Sequence, residues 1–541
     1  MRPTNMINAF RKTGLILAVM AVVVSLAPTA HAAAPGIVGP TFNLTAQAAY
    51  LTQPDGQMIY SWGYGCTTNP AGFAPSMVNQ ACPTMQVPGP TLIVTEGQTV
   101  TVSLTNGLPS SAGNTSILFP GFNVAATGGV VGLTTQEAAP GTTVSYTFTA
   151  SSPGTRAYYS GTQSDLQIEM GLYGAIIVLP ATIPAACTTG LSAANRAVEE
   201  NWGETDFRLA PAAYDHPKSC YDREYLFQFS EIDPRIHSQA QAQVAAKAGC
   251  AAGAAGCSLS VPTEPYHPAY FMINGRSMPD DMDPNYAPEY PHQPYNGNPH
   301  MHPGEQVLLR IIGQGRWQHP FHEHGNHVRI LARDGNLILS ASDATLLAGP
   351  ALFTTTTTPG QAMDGIFYYT GRGLNWDMYG HNPTSGDALA KLPCTPDANG
   401  YNTGFAASNI TFSGTPDAAT VSAINYYEWC QDHNKPLQAA PFGDVAGGGP
   451  VSLPDPNILT NGAWFSGSPY LGANATGRAV GPTGTTPPSG TIANSPSSEA
   501  GFAFMWHSHN EREITTNNAF PGGMLMMMLV DSREFVINES N

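Results

Sequence analysis

The chain has 541 residues, 42% apolar and only 11% charged, with 38 acidic against 21 basic side chains for a net charge of −17. That length exceeds one compact domain, and that acidity argues against nucleic acid or anionic membranes as partners. The 56 Gly and 47 Pro, set among many Thr, Val and Tyr, suit short strands and long turns rather than helical bundles.

At the N-terminus, Arg2, Arg11 and Lys12 precede an apolar run, Leu15 to Leu26, that is too short to span a bilayer comfortably. Ala30-His31-Ala32 then offers a small-x-small cleavage site. Residues 1–32 therefore read as a secretory signal peptide. The mature chain would begin at Ala33 and be secreted or periplasmic. Losing those bases, and no acid, moves the net charge to −20. No later run is apolar enough to span a membrane, so a soluble mature protein is expected. An even number of cysteines in an exported chain favours disulfides. Sequence alone leaves their connectivity open. Pairing of sequence neighbours is the simplest arrangement: Cys66–Cys82, Cys187–Cys220, Cys250–Cys257 and Cys394–Cys430.

Two stretches repeat one another in outline. The first holds a Pro-Gly turn at 88–90, the alternating strand Thr99–Asn106, a second Pro-Gly turn and strand over 139–148, and an apolar strand over 171–178. The second holds 302–312, 358–367 and 522–530 in the same order. Period-two patterning punctuated by Gly and Pro reads as a β-sandwich, and two copies imply two such domains. The expected division is domain one at 33–183, a linker at 184–260 with an Ala/Gly-rich helical tract around Gln239–Ala255, and domain two at 261–535. A Gly-, Pro-, Asn- and Thr-rich insertion occupies 380–499. Insertions of that length are often functional or serve as assembly surface.

Two histidine clusters carry the chemistry. The first is His319-Pro320-Phe321-His322-Glu323-His324-Gly325, and the second is Met505-Trp506-His507-Ser508-His509. Residues two apart share a strand face, so His322 and His324 point one way, as do His507 and His509. If the segments lie side by side, four imidazoles converge, a donor set that suits copper or zinc. His300, His302 and His327 read as turn or surface histidines. Glu323, Glu511 and Glu513 flank the clusters and could serve as supporting groups.

These motifs, with the order of strands and the entry strand Tyr270–Arg276, resemble the multicopper oxidase family. The resemblance implies an all-β fold of two cupredoxin-like Greek-key sandwiches, with a long loop insertion in the second. It also implies copper as cofactor, bound through His322, His324, His507 and His509. The family's second cluster reads His-Cys-His, and its Cys carries the type 1 copper. Here Ser508 replaces that Cys and Glu513 stands at the second His, while His319 and Met524 match the remaining type 1 ligands. A hydroxyl cannot replace a soft thiolate, so no type 1 site is expected. In domain one, Leu118, Pro120, Tyr159 and Gly161 occupy positions where the family has histidines, and Tyr158 and Tyr159 would fill the vacated volume.

One copper ion, or a reduced cluster, is the resulting expectation. Three readings stay open. The first is an oxidoreductase acting on a small-molecule or metal-ion substrate without a type 1 relay. The second is a non-catalytic copper carrier, and the third a metal-free structural protein. The resemblance also leaves open a homo-oligomer, since two-domain relatives form trimers.

Overall fold

The computed structural model describes residues 34–189, 203–251, 253–302, 305–369 and 500–531, with positions 196, 200, 467–471, 492–493 and 537 besides. The expected signal peptide, the expected Cys394–Cys430 pairing and most of the 380–499 insertion fall outside the described residues. No helix among the described residues is long and apolar enough to cross a membrane.

Alternation builds the first sandwich. In Thr99–Asn106, Val100, Val102 and Leu104 are buried while the intervening Thr and Ser face outward. This strand pairs antiparallel with Thr143–Thr149, and the outward face is laced by Ser103–Ser145 and Thr105–Thr143 hydroxyl pairs, each at 2.9 Å. On its other edge it runs parallel to Thr41–Thr52, which pairs with Met58–Cys66. The facing sheet contains Gly154–Tyr159, Tyr173–Leu179, Leu92–Thr95, Gly36–Val38 and Phe73–Ala74 in that order. Trp62, Leu104, Tyr146 and Ile176 are among the side chains that fill the space between the sheets.

The second sandwich repeats this order. Gln306–Gly313 pairs antiparallel with Ala362–Tyr368 and parallel with Arg223–Ile232, which pairs in turn with Tyr270–Ile273. Its facing sheet runs His300–Met301, Leu525–Asp531, Ala500–Ser508, His319–Glu323 and Thr354–Thr357. The sheets meet over Phe227, Phe229, Phe321, Phe367 and Trp506. From the insertion, the strand Gly467–Leu471 pairs antiparallel with Ala500–Phe504 in this same sheet.

The stretch 184–260 is more than a connector. Its strand Arg223–Ile232 sits second in a sheet of the second sandwich, buried along its whole length. The helix that follows, Pro234–Ala246, begins earlier than the Ala/Gly-rich tract suggests. Asp233 caps it by accepting from the Arg235 amide at 3.0 Å, and Pro234 fits its first turn. Ile236 and Ala240 join the core of the first sandwich. One short stretch thus grips both domains. Three of the expected disulfides are present: Cys66–Cys82, Cys187–Cys220 and Cys250–Cys257.

Candidate metal centre

The strands His319–Glu323 and Ala500–Ser508 lie antiparallel, with His322 opposite His507 and Phe321 opposite Ser508. Period two then sorts the side chains. Phe321, Trp506 and Ser508 face the sandwich interior, and His322 and His507 face the opposite side. The candidate ligand atoms of His322, His324 and His507 all lie within 4.8 Å of one another. His324 and His507 approach through their Nε2 atoms at 3.2 Å. His509 stands at the edge of this trio and not within it: its ring is 4.8 Å from that of His322, and its side chain is 53% exposed.

Partners on the far ring nitrogens orient these imidazoles. His507 donates from Nδ1 to the Ser508 carbonyl at 2.7 Å, which leaves the Nε2 lone pair for the centre. His322 shares a 2.8 Å hydrogen bond between Nδ1 and the Thr354 hydroxyl. Trp506 donates from Nε1 to the His324 carbonyl at 2.9 Å and fixes the backbone there. Burial, then the neighbouring His507 and His509, push the His322 pKa down to about 4, and burial also lowers that of His507. With His322 and His507 biased to the neutral form, these oriented and mutually close imidazoles fit a copper or zinc ion.

The inner face of the same strands tells a different story. His319, Ser508, Glu513 and Met524 do come together, as the resemblance implies, but as a hydrogen-bonded cluster. His319 meets Glu513 through Nδ1 and Glu231 through Nε2, each at 2.9 Å. Ser508 donates to Glu513 Oε2, and its amide donates to the Met524 carbonyl at 2.9 Å. Burial alone would lower the His319 pKa, yet the two carboxylates raise it to about 9. Glu323 also points inward. Burial pushes its carboxyl up to about 8, and its Oε1 accepts from Thr355 at 2.8 Å. Glu511 stays outside, 3.6 Å from His509 Nδ1 and exposed.

Domain one reproduces the register without the chemistry. Leu118 pairs with Tyr159 across an isolated bridge, as His322 pairs with His507. A Cβ on Gly161 would lie 2.7 Å from Leu118 Cγ, so leucine fills the space beside it. Tyr158 is buried and donates to the Pro90 carbonyl at 2.7 Å.

Residues 76–182 match the family model of multicopper oxidases. The matched stretch covers most of domain one, and the histidine centre lies outside it. Similar solved structures include a blue copper oxidase from Nitrosomonas europaea, 14% identical over 91% of this chain and 85% of that one, with a TM-score of 0.41. The multicopper oxidase mgLAC is 19% identical over 60% of this chain and 74% of that one, with a TM-score of 0.37. Fet3p, a multicopper oxidase that functions in iron import, is 20% identical over 61% and 46%, also with a TM-score of 0.37. No curated protein matches the sequence. The two-sandwich fold rests on the sheet orders given above.

One expectation needs correction. His300 and His302 are buried rather than surface residues, and His302 Nε2 lies 2.7 Å from Glu204 Oε1. Glu231 and Thr354, which orient the two histidines nearest the strand pairing, escaped the sequence reading. Each lies far along the chain from the cluster it serves, and neither sits in a motif.

Proposed function

We propose that this is an exported copper-binding protein of multicopper oxidase type, holding one copper ion or a reduced cluster through His322, His324, His507 and His509. The observation that carries the reading is the convergence of three buried imidazoles within 4.8 Å. Bound copper would supply one-electron chemistry, directly to a small-molecule or metal-ion substrate. The chain's own part is to aim its imidazoles through the Thr354 hydroxyl and the Ser508 carbonyl, while burial disfavours the protonated forms of His322 and His507. The exposed His509 leaves the group open to solvent. No type 1 relay is expected, because a protonated His319 between Glu231 and Glu513 fills that pocket and Ser508 offers no thiolate. A three-copper cluster that reduces O2 is not expected either, since Leu118, Pro120, Tyr159 and Gly161 offer no imidazole. The disulfides agree with an oxidising compartment.

Metal analysis with electron paramagnetic resonance, on protein purified from periplasm or medium, tests the reading. The expected result is stoichiometric copper with nitrogen-ligated Cu(II) features and no intense blue band. Metal-free protein that takes up no copper, or a strong blue colour, overturns it. The exposure of His509 favours a second reading, a carrier that exchanges its ion. Turnover with phenols, cuprous or ferrous ions would separate an oxidoreductase from that carrier.

A further inference from the structure

Beside the histidine centre the second sandwich holds a cavity of about 640 Å³. Leu331, Leu346 and Leu347 give it an apolar wall, and Lys218, His327 and Arg329 bring it cationic or titratable nitrogen. No acidic side chain among the described residues lines it. In a chain with 38 acids and 21 bases, that local balance is inverted. Arg329 spends one donor, Nη1, on the Gly349 carbonyl at 2.9 Å. Neither Arg329 nor Lys218 forms an ion pair among the described residues. A guanidinium and an ammonium lining a cleft that also has an apolar wall recognise a carboxylate carried on an apolar body.

The cavity is also placed to matter. His327 follows His324 by three residues. Phe353 packs edge-on against both the His327 ring at 5.1 Å and the His322 ring at 5.7 Å. One aromatic ring therefore separates a cavity residue from a candidate metal ligand.

We propose that this cavity binds an organic monocarboxylate with an apolar, aromatic-sized body. Its carboxylate would be held by Lys218 and Arg329 and its body by the leucine wall. That such an acid is the substrate presented to the histidine centre rests on the copper reading above; the binding itself does not.

The test is calorimetric titration of the full-length protein, metal-free and copper-loaded, with 4-phenylbutyrate and with 4-phenylbutan-1-ol. The acid is expected to bind one-to-one to both forms. The alcohol, and the acid against a Lys218→Ala/Arg329→Ala variant, should bind at least ~10-fold more weakly. The variant should keep its full copper content, since it touches none of the four histidines. In the copper-loaded protein the acid should shift the Cu(II) resonance. Absence of binding to the unmodified protein, equal affinity for acid and alcohol, or an unaffected double variant overturns the proposal. Acid binding by protein that takes up no copper would sustain the cavity and remove the copper reading. Copper uptake without acid binding would do the reverse.

Discussion

A single alternation along two strands decides what each histidine does. His322 and His507 share the outer face, while His319 and Ser508 share the inner one, so neighbours in sequence serve separate clusters. His322→Ala and His509→Ala should each weaken copper binding at least ~10-fold, since even supporting groups around a metal cost that much. Ser508→Ala should leave copper per folded chain unchanged. His319→Ala should do the same, although it strands Glu231 and Glu513 in the interior and should lower stability by ~3–5 kcal/mol. Metal analysis normalised to folded protein reads both. Equal copper content across all four variants would mean that the ion sits elsewhere.

At the scale of elements, the strands that alternate cleanly were legible, and so was the meeting of the two histidine pairs. Thr99–Asn106 shows why, because its apolar residues fall on one face only. Arg223–Ile232 was missed for the opposite reason. It carries Arg223, Glu224 and Glu231, charges that interrupt its apolar pattern yet are buried in hydrogen-bonded ion pairs. Sequence periodicity cannot register a charge whose partner comes from another strand. His319 is the clearest case, joining this strand to the one that bears the histidine motif and to the Glu513 turn. Its pKa is raised to about 9, from ~6.5 in an unfolded chain. The stability it contributes, roughly 3 kcal/mol, is therefore fully present below ~pH 6.5 and lost as pH rises through about 9. Urea unfolding of the metal-free protein and of His319→Gln should differ most near pH 6 and converge near pH 10. A gap that stays constant over that range would show that His319 is not held as an imidazolium between the two carboxylates.

Across the whole molecule, the domains are joined by more than their connecting chain. The strand Gln306–Gly313 is buried on both faces. Val307, Leu309 and Ile311 fill its own sandwich, while Ile312 packs with Ala157, Ala175 and Ile177 of the first domain. At the centre of this seam lies Asp364. It accepts from the Thr155 amide at 3.1 Å, from the Thr155 hydroxyl at 2.6 Å and from the Tyr214 hydroxyl, and it lies 3.7 Å from Arg310. Arg310, itself buried, is shared with Glu224 at 2.8 Å. Removing the carboxylate takes the acceptor from the Thr155 and Tyr214 donors and leaves Arg310 with Glu224 as its carboxylate partner in a buried interface, a change that costs ~3–5 kcal/mol when one partner of a buried pair is lost. Because the donors come from both domains, the loss should also weaken their coupling. Asp364→Ala should therefore lower the melting temperature and split a joint unfolding transition into two, as followed by calorimetry. Asp364→Asn keeps part of the hydrogen bonding and should fall between the two. If Asp364→Ala unfolds in one transition within ~1 kcal/mol of the parent, the domains are held together by the apolar seam and the helix Pro234–Ala246 instead.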